Sequence, residues 1–427
     1  MSHPETTNSI RLRNNALALF DQGLVSAASF AVTVCVGRYG SDSELGLFVL
    51  GTTLVVAVVS LHESLISMPF IFLASQKKDM VTFTGSLVAH VAMLGIAAMA
   101  LLLGGSVLGQ FVTFPDGLSL VLAAVGLIIP FHLMRQFVRR FFFARMDLLG
   151  LLAYDVPACL LQVAFLFGLG HFGGLSGATG HLAIGLVGVL MSIVWLIHFR
   201  DEYRIRRPRV LEDLSANFAF GKYACGSQFL WILHVQMLVW ILTFANGTAV
   251  AGQFGACLSV TLLANPFVLG MLNIVSPRVV RGFSEGGNRR LRKVVWQNWW
   301  FMVGGVAFLF AGLSMFGAEL VEMLFGAGFA NHQTTITLLA ISMLAETACK
   351  TPEHGLHALG KPNLATVVNA VRLGITIACA IVLIPRYSLS GAALSLVIAD
   401  TIAAVLLGGI FLRETSESLE SWRPQST

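Results

Sequence analysis

Seven charged side chains, Asp21, Glu63, Asp155, Lys222, Glu346, Arg372 and Asp400, interrupt apolar runs long enough to cross a bilayer. An ionised group surrounded by hydrocarbon is costly unless it is paired, hydrated or at work, so each marks an ion pair, a proton relay or a substrate path. Asp21 and Lys222 stand near the ends of their runs, where a long side chain reaches the interface. Arg372 lies eight residues into its run and Asp155 seven into its own, which places both roughly 10–12 Å deep at ~1.5 Å per residue. A structural pair between these two and a role in substrate or proton handling are both open. Arg135 also sits inside a run, with Arg38 just beyond one.

Uncharged polar residues follow the charged ones along helical faces. Asn15, Gln22, Ser26, Ser29 and Thr33 recur at spacings of 7, 4, 3 and 4. Thr53, Ser60, Glu63, Ser64 and Ser67 share a face, as do Asp155, Cys159 and Gln162. Thr366, Asn369, Arg372 and Thr376 form a fourth stripe. Such periodicity is expected of helices that turn a polar side toward a water-accessible interior. A Ser or Thr in such a place more often bonds its own backbone or a neighbouring helix. Glu63 and Arg372 are the strongest functional candidates, because each shares its face with other polar groups. His62, His90, His132, His181, His198 and His234 show no ligand spacing and read as buried, hydrogen-bonded imidazoles. The six cysteines form no metal-spaced pair. No metal, no cofactor and no nucleotide-binding glycine loop is expected.

The elements that hold these residues follow from composition. The 427 residues are 56% hydrophobic and 11% charged, with a mean hydropathy of +0.79. A soluble domain carries about 25% charged residues, so a cytosolic enzyme, a disulfide scaffold and a disordered chain are excluded. At ~20 residues per crossing, the apolar runs give twelve spans, near 16–36, 46–67, 82–104, 118–138, 148–169, 179–199, 218–244, 252–276, 295–316, 333–349, 364–384 and 391–412. No cleavable signal segment is expected before the first. Of the 27 Lys and Arg, 22 fall before the first span or after even-numbered ones, whereas the opposite loops carry Arg38 and Arg386. By the positive-inside rule both termini are cytoplasmic. The basic segment DEYRIRRPRV is then an orientation signal lying on anionic lipid, not a nucleic-acid site.

That segment follows the sixth span and divides the chain. The expected organisation is an N-terminus at 1–15, an N-lobe at 16–199, a basic linker at 200–217, a C-lobe at 218–412 and a tail at 413–427. The halves echo each other. Gly46–Leu47–Phe48 matches Gly252–Gln253–Phe254, Met68–Pro69 matches Ser276–Pro277, and Leu175–Ser176–Gly177–Ala178 recurs at Leu389–Ser390–Gly391–Ala392. Ala144 pairs with Ala358, and Asp155 with Asn369, at the same offset. An even number of spans per half makes the repeat parallel, with a substrate site expected between the halves.

With these residues in place, the stretch from Ala16 to Leu50 resembles the opening spans of bacterial polysaccharide exporters. It has a small-polar first span, then Arg38, Glu44, Gly46 and Phe48, with Tyr39–Gly40 between. The segment HALGKPNLATVVNAVRLGITIACAIVLIPRYSLSGAALS is similar to the same family. That family is the multidrug/oligosaccharidyl-lipid/polysaccharide superfamily, including Wzx-type O-unit flippases. The resemblance implies an all-α, twelve-helix, two-lobed, MATE-like protein of the inner membrane. It would be no enzyme but a flippase for an oligosaccharide on undecaprenyl pyrophosphate. Membrane lipids would surround it, and a polysaccharide polymerase or glycosyltransferases would work beside it. In such proteins cationic cavity residues meet the pyrophosphate. Here Arg372, Lys222 and Arg135 would do so, with Asn369, Gln22 and Ser26 lining the path and Arg38 at the outer mouth. The acids Asp21, Glu63 and Asp155 offset these bases and are the candidates for a coupling ion. Two alternatives remain, a MATE-type drug/cation antiporter using Asp21 and Glu63, and a multi-span glycan polymerase or ligase. The short outer loops speak against the last.

Overall fold

The computed structural model describes residues 4–73, 77–329 and 331–417. Among them every regular element is a helix, which is how a chain this apolar satisfies its backbone away from water. The elements are α1 (Pro4–Tyr39), α2 (Asp42–His62), a π-helical turn (Glu63–Ser67), α3 (Met68–Leu73), α4 (Met80–Leu108), α5 (Leu118–Ala144), α6 (Leu148–His171) and α7 (Gly177–His198). They continue with α8 (Arg207–Asn246), α9 (Thr248–Thr261), α10 (Asn265–Phe325), α11 (Gln333–Ala358) and α12 (Pro362–Glu417). Large apolar side chains such as Leu101, Phe111, Phe308 and Val405 are exposed, as suits helices whose outer surface meets lipid. The chain is a multi-pass membrane protein.

Nine helical stretches among the described residues have the length and apolarity of a crossing. Two of them, Thr248–Phe325 and Pro362–Ser416, each contain two of the expected spans. In both, the helix is interrupted where the sequence expects a loop. Gly286 (φ −150°, ψ 19°) and Gly287 (φ 57°, ψ −153°) break α10, and Ser388 (φ 51°, ψ −124°) breaks α12. Gly287 sits in a region that only glycine enters readily. The expected tenth span, 333–349, lies in α11 but is not among the nine, because Glu346 and Lys350 lower the helix's apolarity. The second span differs as well. It runs through Pro69 to Leu73 and carries the π turn at Glu63–Ser67.

The chain forms two compact units. The first comprises residues up to Ile232 with Gly247–Gly252, and the second Leu233–Asn246 and everything from Gln253. The segment expected as a linker, 200–217, is largely structured. A 3₁₀ turn covers Arg200–Glu202, and α8 has begun by Arg207. The last residues of the expected tail, including Arg423, lie outside the described residues.

Within the first unit α5 is central and packs on α4 and α7, while α6 packs on α1. Phe137, Phe141, Trp195 and Phe199 form an edge-and-face aromatic core. Gly51 of α2 lies directly against the His181 ring of α7, so a Cβ there would displace it. That close approach lets His181 Nε2 donate to the Phe48 carbonyl at 3.0 Å and stack on the Phe48 ring. Ser41, Asp79, Asp147 and Ser176 accept the first free N–H groups of α2, α4, α6 and α7. In the second unit, Val275, Val279, Leu291, Val295 and Met302 of α10 join Leu356 of α11 and Ala403, Leu407 and Phe411 of α12.

Candidate functional site

In the first unit α1, α5 and α6 bring together two arginines and two aspartates. Arg139 donates through Nε to Asp155 Oδ2 at 2.7 Å and through an Nη to Asp21 Oδ2 at 2.9 Å. Arg135, one helical turn earlier on α5, reaches Asp155 Oδ1 at 3.3 Å and the Cys159 Sγ at 4.0 Å. Both aspartates are fully buried. Among the described residues, Asp21 Oδ1 and Arg135 Nε have no hydrogen-bond partner. A buried polar atom left this way is unfavourable unless water or a ligand completes it.

The arginines open onto a cavity of about 270 Å³ within this unit. Its wall holds Ser29 and Thr33 of α1, Thr52 of α2, His132, Arg135, Gln136 and Arg139 of α5, Gln162 of α6 and His181 of α7. Val25, Val32, Phe48, Val55, Val56, Ile128 and Ile184 supply its apolar side. Hydrogen-bond donors therefore dominate its polar part, because the arginines keep guanidinium N–H groups beyond those given to Asp155 and Asp21. Sugar hydroxyls or a phosphate would meet complementary groups here.

A second charge cluster lies within the second unit. Arg372 of α12 donates through Nε to Asp400 Oδ1 at 2.6 Å, and its Nη2 lies 4.0 Å from Glu346 of α11. Ser342 also donates to Asp400, His234 Nε2 stands 3.7 Å from it, and Lys350 pairs with Glu346 at 3.0 Å. Arg372 is 2% exposed and Asp400 1%. The pairing considered from sequence, Arg372 with Asp155, is thus replaced by two networks, one among Asp21, Arg135, Arg139 and Asp155 and one among Glu346, Arg372 and Asp400.

The remaining site candidates are dispersed. Asn369 is buried on α12, one turn before Arg372. Gln22 and Ser26 are half-buried on α1, and it is the later part of their stripe, Ser29 and Thr33, that lines the cavity. Asn15 lies outside the residues whose side chains are described. Lys222 and Arg38 are exposed, on α8 and at the end of α1. Glu63 accepts from Arg140 at 2.7 and 3.2 Å, a two-point pair at the start of the π turn. The stripe on α2 is partly local: Thr53 and Ser60 bond the carbonyls of Leu50 and Val56. Thr52, one position away, donates to the Phe48 carbonyl in the same way and lines the cavity.

Solved structures of similar shape decide the fold. An inward-facing multidrug resistance MATE family transporter of the MOP superfamily superposes with a TM-score of 0.75 at 16% identity, over 93% of this chain and 96% of that one. The chain has the MATE-type fold. A second transporter with this fold, a MOP superfamily protein from Pyrococcus furiosus whose binding pocket is described as reversed in polarity, gives 0.65 at 15% identity, over 97% of this chain and 96% of its own. By sequence, the chain is 19% identical over 221 residues to a probable low-salt glycan biosynthesis flippase, Agl15, of Haloferax volcanii. That match spans 52% of this chain and about half, 46%, of the flippase. No protein-family model matches the chain.

On this MATE-type framework, sequence reasoning found Asp21, Arg135 and Asp155 but missed Arg139, His132 and Gln136. Arg139 had been counted among the orientation-setting loop cations, because the expected span ended at residue 138. The helix continues to Ala144. The spacing of Arg135, Arg139 and Gln136 on one helix was the available signal.

Proposed function

We propose that this chain is a flippase or exporter that moves a lipid-linked oligosaccharide, or a polysaccharide precursor, by alternating access. It would work from the cytoplasmic to the outer leaflet of the inner membrane, with both termini in the cytoplasm and undecaprenyl pyrophosphate as the carrier. The observation that carries this reading is the donor-lined cavity of the first unit, with Arg135 and Arg139 on its wall. Two cationic forks and several amide, hydroxyl and imidazole groups suit phosphate and sugar oxygens. The distant likeness to a glycan biosynthesis flippase supports the same class of cargo.

In this reading Arg135 is the principal contact for an anionic group, and Gln162, Gln136, Ser29 and Thr33 exchange hydrogen bonds with hydroxyls. Asp155 and Asp21 hold the arginines in place. Of the coupling-ion candidates Asp21, Glu63 and Asp155, Asp21 is favoured, because among the described residues its Oδ1 has no hydrogen-bond partner. Gln22, Ser26, Lys222 and Arg38 would touch cargo only outside this cavity. A second reading, a drug/cation antiporter, is favoured by the multidrug transporters that share the fold. A cavity wall bearing two arginines is poorly matched to lipophilic cations. Deleting the gene tests the choice. Lipid-linked oligosaccharide should accumulate on the cytoplasmic leaflet and surface glycan should be lost, with dye resistance unchanged. Normal surface glycan with increased dye sensitivity would favour the antiporter.

A further inference from the structure

Beyond that cavity, the second unit carries a cleft with a different composition, between the two arms of α10. The arms fold back on each other at Gly286–Gly287 and pack closely, with Gly305 against the Phe267 ring. Their fully buried faces, Val275 and Val279 on one and Leu291, Val295 and Met302 on the other, belong to the core. A different pair of faces lines a cleft of about 520 Å³.

The cleft is graded along its length. Toward the turn lie Arg278, Arg281 and Arg290, and away from it lie Met271, Ile274 and Phe301. The order follows from the antiparallel arms, because helical spacing sets Met271, Ile274, Arg278 and Arg281 on one face in sequence. Glu285 is the carboxylate that meets this cluster, 2.8 Å from Arg290 and 3.8 Å from Arg281. Among the described residues Arg278 has no ion-pair partner. Beside the cleft, Trp296, Trp299 and Trp300 follow one another ring to ring, and Trp300 is 70% exposed. Exposed tryptophan on a membrane helix marks headgroup depth. Trp300 stands level with Phe301 at the apolar end of the cleft, so that end lies at the boundary of headgroups and acyl chains and the basic end faces the phosphates outside it.

We infer that this cleft binds an anionic phospholipid of the surrounding bilayer, its phosphate on Arg278, Arg281 and Arg290 and the start of an acyl chain along Met271, Ile274 and Phe301. Charge complementarity selects an anionic headgroup, and the apolar half requires a tail. The site is independent of the transport cavity, since no residue is shared.

The test is native mass spectrometry of the purified full chain with equal amounts of phosphatidylglycerol and phosphatidylcholine. Phosphatidylglycerol should be retained preferentially. Arg278→Gln with Arg290→Gln should lower its affinity roughly thirtyfold, at about one strong surface contact per arginine removed. Arg292→Gln, an exposed cation on the same helix that does not line the cleft, should change nothing. Equal retention of the two lipids would overturn the inference, as would equal loss in the Arg292 variant. Displacement of the lipid by millimolar inorganic phosphate would show an anion site without a lipid. Replacement by an undecaprenyl phosphate at the same stoichiometry would place the cleft on the cargo path. Either result would also overturn it.

Discussion

The two buried charge clusters use the same ingredients in different surroundings. In the first unit the arginines stand on α5 and the acid that joins them on the next helix, α6. In the second, Arg372 and the acid it bonds, Asp400, stand on the two sides of the Ser388 break in α12, and Glu346 of α11 lies 4.0 Å from the arginine. The first cluster opens on a cavity through Arg135 and Arg139. In the second, Arg372 is enclosed by Asp400 and Glu346, with Ser342 and His234 around Asp400. A duplicated architecture therefore keeps a charged crossing point in each half and gives the two different surroundings. One arginine cluster can meet a solute, whereas the other fastens helices together.

The largest expected effect tests the fastening. Arg372→Ala strands a buried carboxylate, and breaking a buried pair costs about 3–5 kcal/mol. Its melting temperature in detergent and its level in membranes should both fall. Replacing both partners, as in Arg372→Met with Asp400→Leu, should recover much of the loss, because removing both charges leaves none unpaired. A stable Arg372→Ala protein that has lost transport would break the comparison and return this residue to the cargo path.

Arg135→Gln should give the converse result. Asp155 keeps Arg139, so the loss of stability should be about 1–3 kcal/mol, smaller than for Arg372→Ala. Flipping of lipid-linked glycan in reconstituted vesicles should fall at least about tenfold, the scale of one charge-assisted contact. Equal melting shifts for the Arg135 and Arg372 variants, with transport retained in the former, would erase the distinction.

The smallest effect concerns the capped helix starts of the first unit. Asp79 accepts from the Thr82 N–H at 3.0 Å and from its hydroxyl at 2.7 Å, and these bonds hold its carboxyl below the usual carboxylate range. A depressed folded pKa stabilises above the unfolded value of about 3.9, and the benefit fades as pH falls through the lower, folded value. The melting gap between wild type and Asp79→Ala should therefore be full at pH 7 and closed in strong acid. A gap that persists there would assign Asp79 another role.

Much of the architecture was legible because apolar length is a strong signal. Loop positions at 277–294 and 385–390 were expected, and the breaks at Gly286–Gly287 and Ser388 fall inside them. Which cation meets which acid was not legible, because pairing depends on helix rotation and neighbour choice. Arg139 and Asp400 show this. Asp400 was visible as a charge in an apolar run, yet nothing in its own helix announces Arg372, 28 residues earlier. The stripe on α2 misled for a related reason. Both hydroxyls satisfy the backbone of α2, Thr53 toward Leu50 and Thr52 toward Phe48, and it is Thr52 that also lines the cavity.

That helix is not straight in its hydrogen bonding, and the consequence is one of counting. At Glu63–Ser67 the Met68 N–H reaches back five residues to the Glu63 carbonyl, so the turn holds one residue more than an α-helix would. Everything after it, Pro69 and Phe70 included, is offset by about 100° from the register set at Asp42. A one-codon deletion here would keep the reading frame and leave a well-formed helix. Because the turn already holds the extra residue, Phe70 would keep its place beside Phe83 and Phe137; straightening the helix at full length would instead rotate Phe70 away from them or turn Glu63 away from Arg140. The segment can lose one residue more readily than it can lose the π turn at full length.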